Sequence, residues 1–279
     1  MIYLLHRLGV MVGRLLPGCM SDIMANLFGS LAYTLLLHKR RVLRRNLSRV
    51  ISKEKLRKER VLHRIFCNYT HYFITLFRFP AMNTLQIRRL IEVKGWENLE
   101  RASNHGRGVI LITAHVGHWD LGGAIIAQRF GINALAEPLR PKGLFDLYTR
   151  LRESQGINVI KETHPLKRLI TILREGGIVV VLCDREMRGK GIRVPFFGEE
   201  TSMPEIPALL ALRTGAKIVP GFAIRERGSR YYKCIIKEEI DVEDIYSTTL
   251  RITRLIEEHI RSFYDNWYMF QPIWVNDAE

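Results

Sequence analysis

The sequence has only four cysteines, Cys19, Cys67, Cys183 and Cys234, and their spacing contains no CxxC and no paired framework. That excludes a zinc knuckle and a disulfide-stapled scaffold, and it fits a reducing, cytosolic setting. No GxSxG occurs, so the nucleophile elbow of a serine hydrolase is missing. There is no low-complexity tract and no internal repeat. Acids are scarce at one end: residues 1–70 hold 14 Lys and Arg against Asp22, Glu54 and Glu59, so most of the net charge of +15 lies there. Long apolar runs are also lacking. Residues 23–37 are uncharged, but as a helix they reach only about 22 Å, short of the ~30 Å hydrocarbon core.

Residues 38–45, His-Lys-Arg-Arg-Val-Leu-Arg-Arg, follow that stretch directly. The combination suits a segment that dips into one leaflet, with the basic cluster held by anionic headgroups. Arg7 and Arg14 interrupt the first apolar stretch and no small-residue cleavage site precedes the basic run, which argues against a secretory signal. No recognised nucleic-acid motif accompanies the charge, so no nucleic-acid partner is expected.

With 279 residues and 47% hydrophobic content, the chain can bury a full α/β core. Residues 1–80 read as helices, near 1–16, 20–37 and 56–79, joined by a basic turn. In the last, Leu62, Ile65, Phe66, Tyr69, Phe73, Leu76 and Phe77 form a stripe that suits a core face or the wall of an acyl channel. Beyond residue 80 strands and helices alternate. Strands are expected near 108–114, 132–136, 157–160, 177–183, 192–196, 217–223 and 231–237, with helices near 119–129, 142–154, 165–175, 204–214 and 243–264. Such alternation predicts an α/β fold with a mixed, mostly parallel sheet flanked by helices, and an N-terminal helical extension that associates with a membrane. Ligands of such sheets gather at the carboxyl ends of strands.

One of those ends carries the chemistry. The run 108–113, Gly-Val-Ile-Leu-Ile-Thr, leads into Ala114-His115-Val116-Gly117-His118-Trp119-Asp120. Gly117 permits a tight turn, which is expected to bring the Asp120 carboxylate back to one imidazole nitrogen of His115 and leave the other free to take a proton. A basic, glycine-broken loop follows at Asp184-Arg185-Glu186-Met187-Arg188-Gly189-Lys190, running into Phe196-Phe197-Gly198. Its glycines suit close approach to a phosphate that Arg185 would clasp, and Arg140 follows a strand toward the same sheet edge.

His115-x4-Asp120 with Gly95-Trp96-Glu97-Asn98-Leu99 upstream resembles the first motif of the lipid A biosynthesis acyltransferase family, within the wider glycerolipid acyltransferase superfamily. Further matching landmarks, in order, are Arg44-Arg45-Asn46-Leu47, Arg140-Pro141, Arg152 with Gly156, Asp184-Arg185, Val194-Pro195-Phe196-Phe197-Gly198, Arg213-Thr214-Gly215-Ala216 and residues 267–274. Three positions depart from the family: His118 where Asn is common, Ile206 where glycine is frequent, and Gln271-Pro272 where lipid A enzymes usually carry basic residues. The last makes a glycerophospholipid or mannosylated acceptor at least as fitting as lipid A.

The resemblance implies acyl transfer from acyl carrier protein or acyl-CoA to a lipid hydroxyl, with residues 81–279 as the acyltransferase domain. Neither metal nor cofactor is required. In that reading His115 is the general base and Asp120 fixes its tautomer. Arg140, Arg152, Asp184, Arg185, Phe196, Phe197 and Gly198 are the expected substrate-binding residues, and backbone N–H groups near His118 and Trp119 would meet the oxyanion. The expected partners are an anionic membrane surface, the lipid acceptor and the acyl donor. The protein is expected to be a monomer, peripheral or monotopic at the cytoplasmic face of the inner membrane. Two other classes are a metal-dependent hydrolase using His115, His118 and Asp120, and a non-catalytic lipid-binding protein.

Overall fold

The β-branched runs pair as expected from their burial. In the computed structural model, which describes residues 2–58, 60–161, 163, 166–186, 189 and 191–275, with backbone alone for Cys19 and Lys58, they form one seven-stranded sheet. The strands are β1 (Ile91–Lys94), β2 (Val109–Thr113), β3 (Ile132–Ala136), β4 (Ile157–Lys161), β5 (Ile178–Leu182), β8 (Lys217–Arg225) and β9 (Tyr232–Ile236), with β6 (Ile192–Phe196) and β7 (Glu199–Met203) as a separate hairpin. The order is β1-β9-β8-β2-β5-β3-β4, parallel throughout except where β8 meets β9. Every residue of the central β2 is buried, as a strand covered on both faces requires.

Connecting helices cover the sheet: α7 (Trp96–Asn104), α8 (Trp119–Ala127), α9 (Lys142–Glu153), α10 (Leu166–Arg174), α11 (Ile206–Thr214) and α12 (Ile245–Ser262). Before them come α1 (Ile2–Leu15), α2 (Ser21–Leu35), α3 (Leu37–Val50), α4 (Lys53–Lys58), α5 (Val61–Arg78) and α6 (Thr84–Leu90). Residues 38–50, expected as a basic turn, are helical. Leu43, Leu47 and Val50 recur at helical spacing and are buried, and that stripe outweighs the surrounding charge.

Both α1 and α2 pack on α5. Asp22 of α2 also pairs with His71 of α5 at 3.2 Å and with Arg225 of β8. The N-terminal helices thus share the hydrophobic core with the sheet, from Val10 through Leu76 to Trp274. Among the described residues no helix is long and apolar enough to cross a membrane.

The C-terminal segment, residues 263–275, is fastened to the N-terminal helices and to the turn after β2. Asn46, fully buried on α3, donates from Nδ2 to the Met269 and Gln271 carbonyls, each at 2.9 Å. Asn68 of α5 donates to the Asp265 carbonyl at 2.9 Å. Asn46→Ala would strand both carbonyls it serves. We expect a loss of about 2–4 kcal/mol in urea unfolding, against roughly 0.5 kcal/mol or less for Ser48→Ala, whose exposed hydroxyl bonds the Arg45 carbonyl of its own turn.

Candidate active site

At the carboxyl end of β2 the chain turns sharply into α8. Gly117 makes the turn at φ +65°, and a Cβ there would run into the Ala223 carbonyl. Its N–H donates to the Asn266 carbonyl at 2.8 Å, and the His115 carbonyl accepts from the Tyr268 N–H at 2.9 Å. The turn is therefore clamped between β8 and the C-terminal segment.

His115 is held by Asp184, at the end of β5, the strand beside β2. Nδ1 lies 2.7 Å from Asp184 Oδ1, and the His115 N–H donates to Oδ2 at 3.0 Å. Trp267 donates its indole N–H to the same Oδ2 at 3.0 Å. Burial alone would raise the Asp184 pKa. The His115 ring, its amide and the Trp267 indole outweigh burial and hold the carboxyl below its usual range. A carboxylate only accepts, so Nδ1 must carry the proton and Nε2 presents a lone pair. Nε2 has no hydrogen-bond partner among the described residues, and the ring lines a cavity.

Asp120 does not hold His115, contrary to the expectation from the four-residue spacing. It lies in the first turn of α8, where Arg152 of α9 grips both its oxygens, from Nε at 2.6 Å and from Nη2 at 3.2 Å, and the Tyr72 hydroxyl of α5 donates to Oδ2 at 2.6 Å. Burial alone would raise its pKa. The charge and hydrogen bonds of Arg152, with that of Tyr72, reverse this and leave the carboxylate ionised. Its lone pairs are committed, and the imidazole has turned to a carboxylate that sequence spacing could not place beside it.

The cavity holds about 270 Å³. Ile132, Ala134, Ile157, Val180 and Ile206 make an apolar wall, and His115, Asp120, Arg152 and Arg185 stand on its polar side. Of the expected substrate residues, Arg185 lines this space, tied to Gln271 and, at 3.1 Å, to Glu137. Arg152 lines it too, but as the partner of Asp120. Asp184 is fully buried and spent on His115 and Trp267. Arg140 is exposed and lies outside the cavity lining.

Phe196, Phe197 and Gly198 also lie outside that lining. Phe196 stacks on Trp274, and both phenylalanines pack around Trp267, so this segment buttresses the indole that holds Asp184. Met187, Arg188 and Lys190 of the basic loop lie outside the described residues. The stripe on α5 lines no part of the cavity and serves as core, which corrects the acyl-channel alternative.

The three departures have structural places. His118 is the N-cap of α8, its Nδ1 accepting from the Leu121 N–H at 3.1 Å. Asn, the commoner residue there, is also a good N-cap, so the position needs an acceptor. Its own N–H is spent on the Ala223 carbonyl at 2.7 Å and is not open to an oxyanion, while the Trp119 N–H, at the first position of α8, has no acceptor among the described residues. Ile206 lines the cavity and Gln271 steadies Arg185. No group of three His, Cys, Asp or Glu side chains is arranged to hold a metal ion among the described residues.

Over residues 1–276 the chain matches the family model for bacterial lipid A biosynthesis acyltransferases. The chain belongs to this family. It is similar to a phosphatidylinositol mannoside acyltransferase of Mycolicibacterium smegmatis, 31% identical over 246 residues that cover 84% of this chain and 79% of the relative. A phosphatidylinositol mannoside acyltransferase of Mycobacterium tuberculosis is likewise 31% identical, over 75% of this chain and 69% of its own length. A lipid A biosynthesis palmitoleoyltransferase of Escherichia coli K12 is 24% identical over 63% of this chain and 58% of its own. The protein is an O-acyltransferase of lipid biosynthesis.

Tyr72 is not among the residues the sequence points to, and Trp267 stands there only within the 267–274 landmark, with no role at the site. Burial sets one further property of this acyltransferase, holding the His118 pKa at about 3, so the ring stays neutral when folded but protonates near 6.5 when unfolded. The unfolded chain then binds the extra proton, and stability falls as pH drops from about 6 to 4, by up to about 1.4 kcal/mol per pH unit from this residue. His118→Asn keeps a cap and removes the titration. Denaturant midpoints measured across that range should show a shallower acid slope in the variant.

Proposed function

We propose that this acyltransferase moves a fatty acyl chain from a thioester donor, acyl carrier protein or coenzyme A, to a hydroxyl of a lipid acceptor, with His115 as general base. The carrying observation is an apolar cavity bordered by an imidazole whose Nδ1 is pinned by a buried carboxylate. The acyl chain would lie along Ile132, Ala134, Ile157 and Val180, each buried CH₂ contributing about 0.8 kcal/mol. His115 Nε2 takes the hydroxyl proton as the oxygen attacks the thioester carbonyl. The new C–O bond forms, the C–S bond breaks, and the proton passes from Nε2 to the departing thiolate. Asp184 keeps the proton on Nδ1 and stabilises the imidazolium. The Trp119 N–H, at the positive end of α8, faces the developing oxyanion. Asp120, fixed by Arg152 and Tyr72, shapes the wall beside the reacting carbonyl, and Arg185 meets phosphate on donor or acceptor. No metal or cofactor takes part.

The names of the relatives favour a phosphatidylinositol mannoside over a lipid A precursor as acceptor. Similarity to the mannoside enzymes extends over more of the chain and at higher identity. The protein acts as a monomer at the cytoplasmic face of the inner membrane, held peripherally. Leu4, Leu8 and Leu15 of α1 and Ile23, Leu27 and Leu31 of α2 are each half-exposed or more, an apolar display that water does not favour, with Arg40, Arg41, Arg44 and Arg45 following on α3.

The test is transfer of a labelled acyl group from each donor to extracted membrane lipids, with the product identified by mass spectrometry. His115→Ala should lower turnover about 10²- to 10⁴-fold while folding and vesicle binding persist. Undiminished transfer by that variant would refute the mechanism. Replacing Leu4, Leu8 and Leu15 together by Ser should release the protein from vesicles and leave its circular dichroism intact.

A further inference from the structure

Along one side of α1 a stripe of Tyr3, Arg7, Val10, Met11 and Arg14 faces Leu147 and Arg150 of α9 across a groove of about 380 Å³. Among the described residues no acidic side chain lines it. Arg7, Arg14 and Arg150 are exposed and make no ion pair among the described residues. The groove is firmly built. Gly9 and Gly13 let α1 sit against Phe77 of α5, and His6 Nδ1 meets the Tyr148 hydroxyl of α9 at 2.7 Å. Three like charges gathered without a counter-charge repel one another, so the arrangement gains from an anion.

The same helix tells what kind of anion. Met11 belongs both to the groove and to the outward apolar face, where it is 59% exposed beside Leu8 at 55% and Leu15 at 86%. Acyl chains covering that face would set their phosphate at the groove, where guanidinium groups bind phosphate oxygens in bidentate fashion. No residue is shared between this groove and the catalytic cavity.

We propose that the α1–α9 groove binds the phosphate of an anionic glycerophospholipid of the membrane surface, at a site separate from the catalytic cavity. The proposal rests on the reading that the exposed apolar faces of α1 and α2 meet the membrane, and the experiment separates the two. Full-length protein is floated with vesicles of phosphatidylcholine alone and with vesicles enriched in phosphatidylglycerol. The variant R7Q/R14Q/R150Q is compared with K167Q/R168Q/R174Q, which removes equal charge from exposed positions of α10. The groove variant should lose its preference for anionic vesicles about 100-fold. It should keep wild-type affinity for neutral vesicles and a wild-type circular dichroism spectrum, and the α10 variant should behave as wild type.

Equal losses in both variants would show diffuse charge attraction and overturn the site. So would displacement of wild-type protein from the vesicles by inorganic phosphate at matched ionic strength, which would mark a soluble-phosphate site. An unchanged vesicle preference in the groove variant, joined to a raised KM for acyl carrier protein donor alone, would assign the arginines to an acidic protein and overturn it too. If wild-type protein binds neither vesicle, the membrane reading itself fails and the proposal falls with it.

Discussion

A carboxylate taken fully out of water must be matched by donors. Asp184 meets that demand with the His115 ring, the His115 amide and the Trp267 indole. The donors come from two distant parts of the chain, so satisfying one buried charge joins the end of β5 to the β2–α8 turn and to the C-terminal segment. The imidazole is oriented as a by-product of that requirement. Its Nδ1 must carry the proton, and its Nε2 is left with the lone pair that the proposed base needs.

A second buried carboxylate, in the turn that follows His115, repeats the logic. Asp120 is matched by Arg152 of α9 and Tyr72 of α5, which places the N-terminal helices in direct contact with the site. Neighbouring side chains on α5 look in different directions: Tyr72 toward Asp120, His71 toward Asp22 of α2. Asn46 of α3 fastens the segment that carries Trp267. Asp22 ties α2, with its apolar outward face, to α5 and to β8, which flanks the His115 turn, so that turn keeps a set relation to the surface where lipids would arrive.

Much of this fold is legible in the sequence because β-branched runs such as 109–113 and 178–182 have few alternatives to a buried parallel strand. Helix α11 begins beside Pro207 and ends at Gly215, both visible in the sequence. The hairpin strand β7 is not legible in Glu-Glu-Thr-Ser-Met, which lacks apolar alternation and becomes extended by pairing with β6. Helix α3 was masked by its arginines, though its buried stripe lies at helical spacing. At the site, the His115 turn and its place at a strand end follow from local pattern. The identity of its carboxylate partner does not: Asp120 is near in sequence, while Asp184 is near only because β2 and β5 pair side by side. The side-chain partners of Arg152, Phe196 and Phe197, namely Asp120 and Trp267, come from distant elements that no spacing reveals.

The account stands or falls on which carboxylate holds His115. Nitrogen-15 NMR of the histidine side chains reports which ring nitrogen carries the proton. In wild-type protein at neutral pH the His115 signal should be that of a ring protonated at Nδ1. Asp184→Asn should convert it to mixed tautomers, and Asp120→Asn should leave it unchanged. Loss of the Nδ1–H signature in Asp120→Asn, with its retention in Asp184→Asn, would contradict the account.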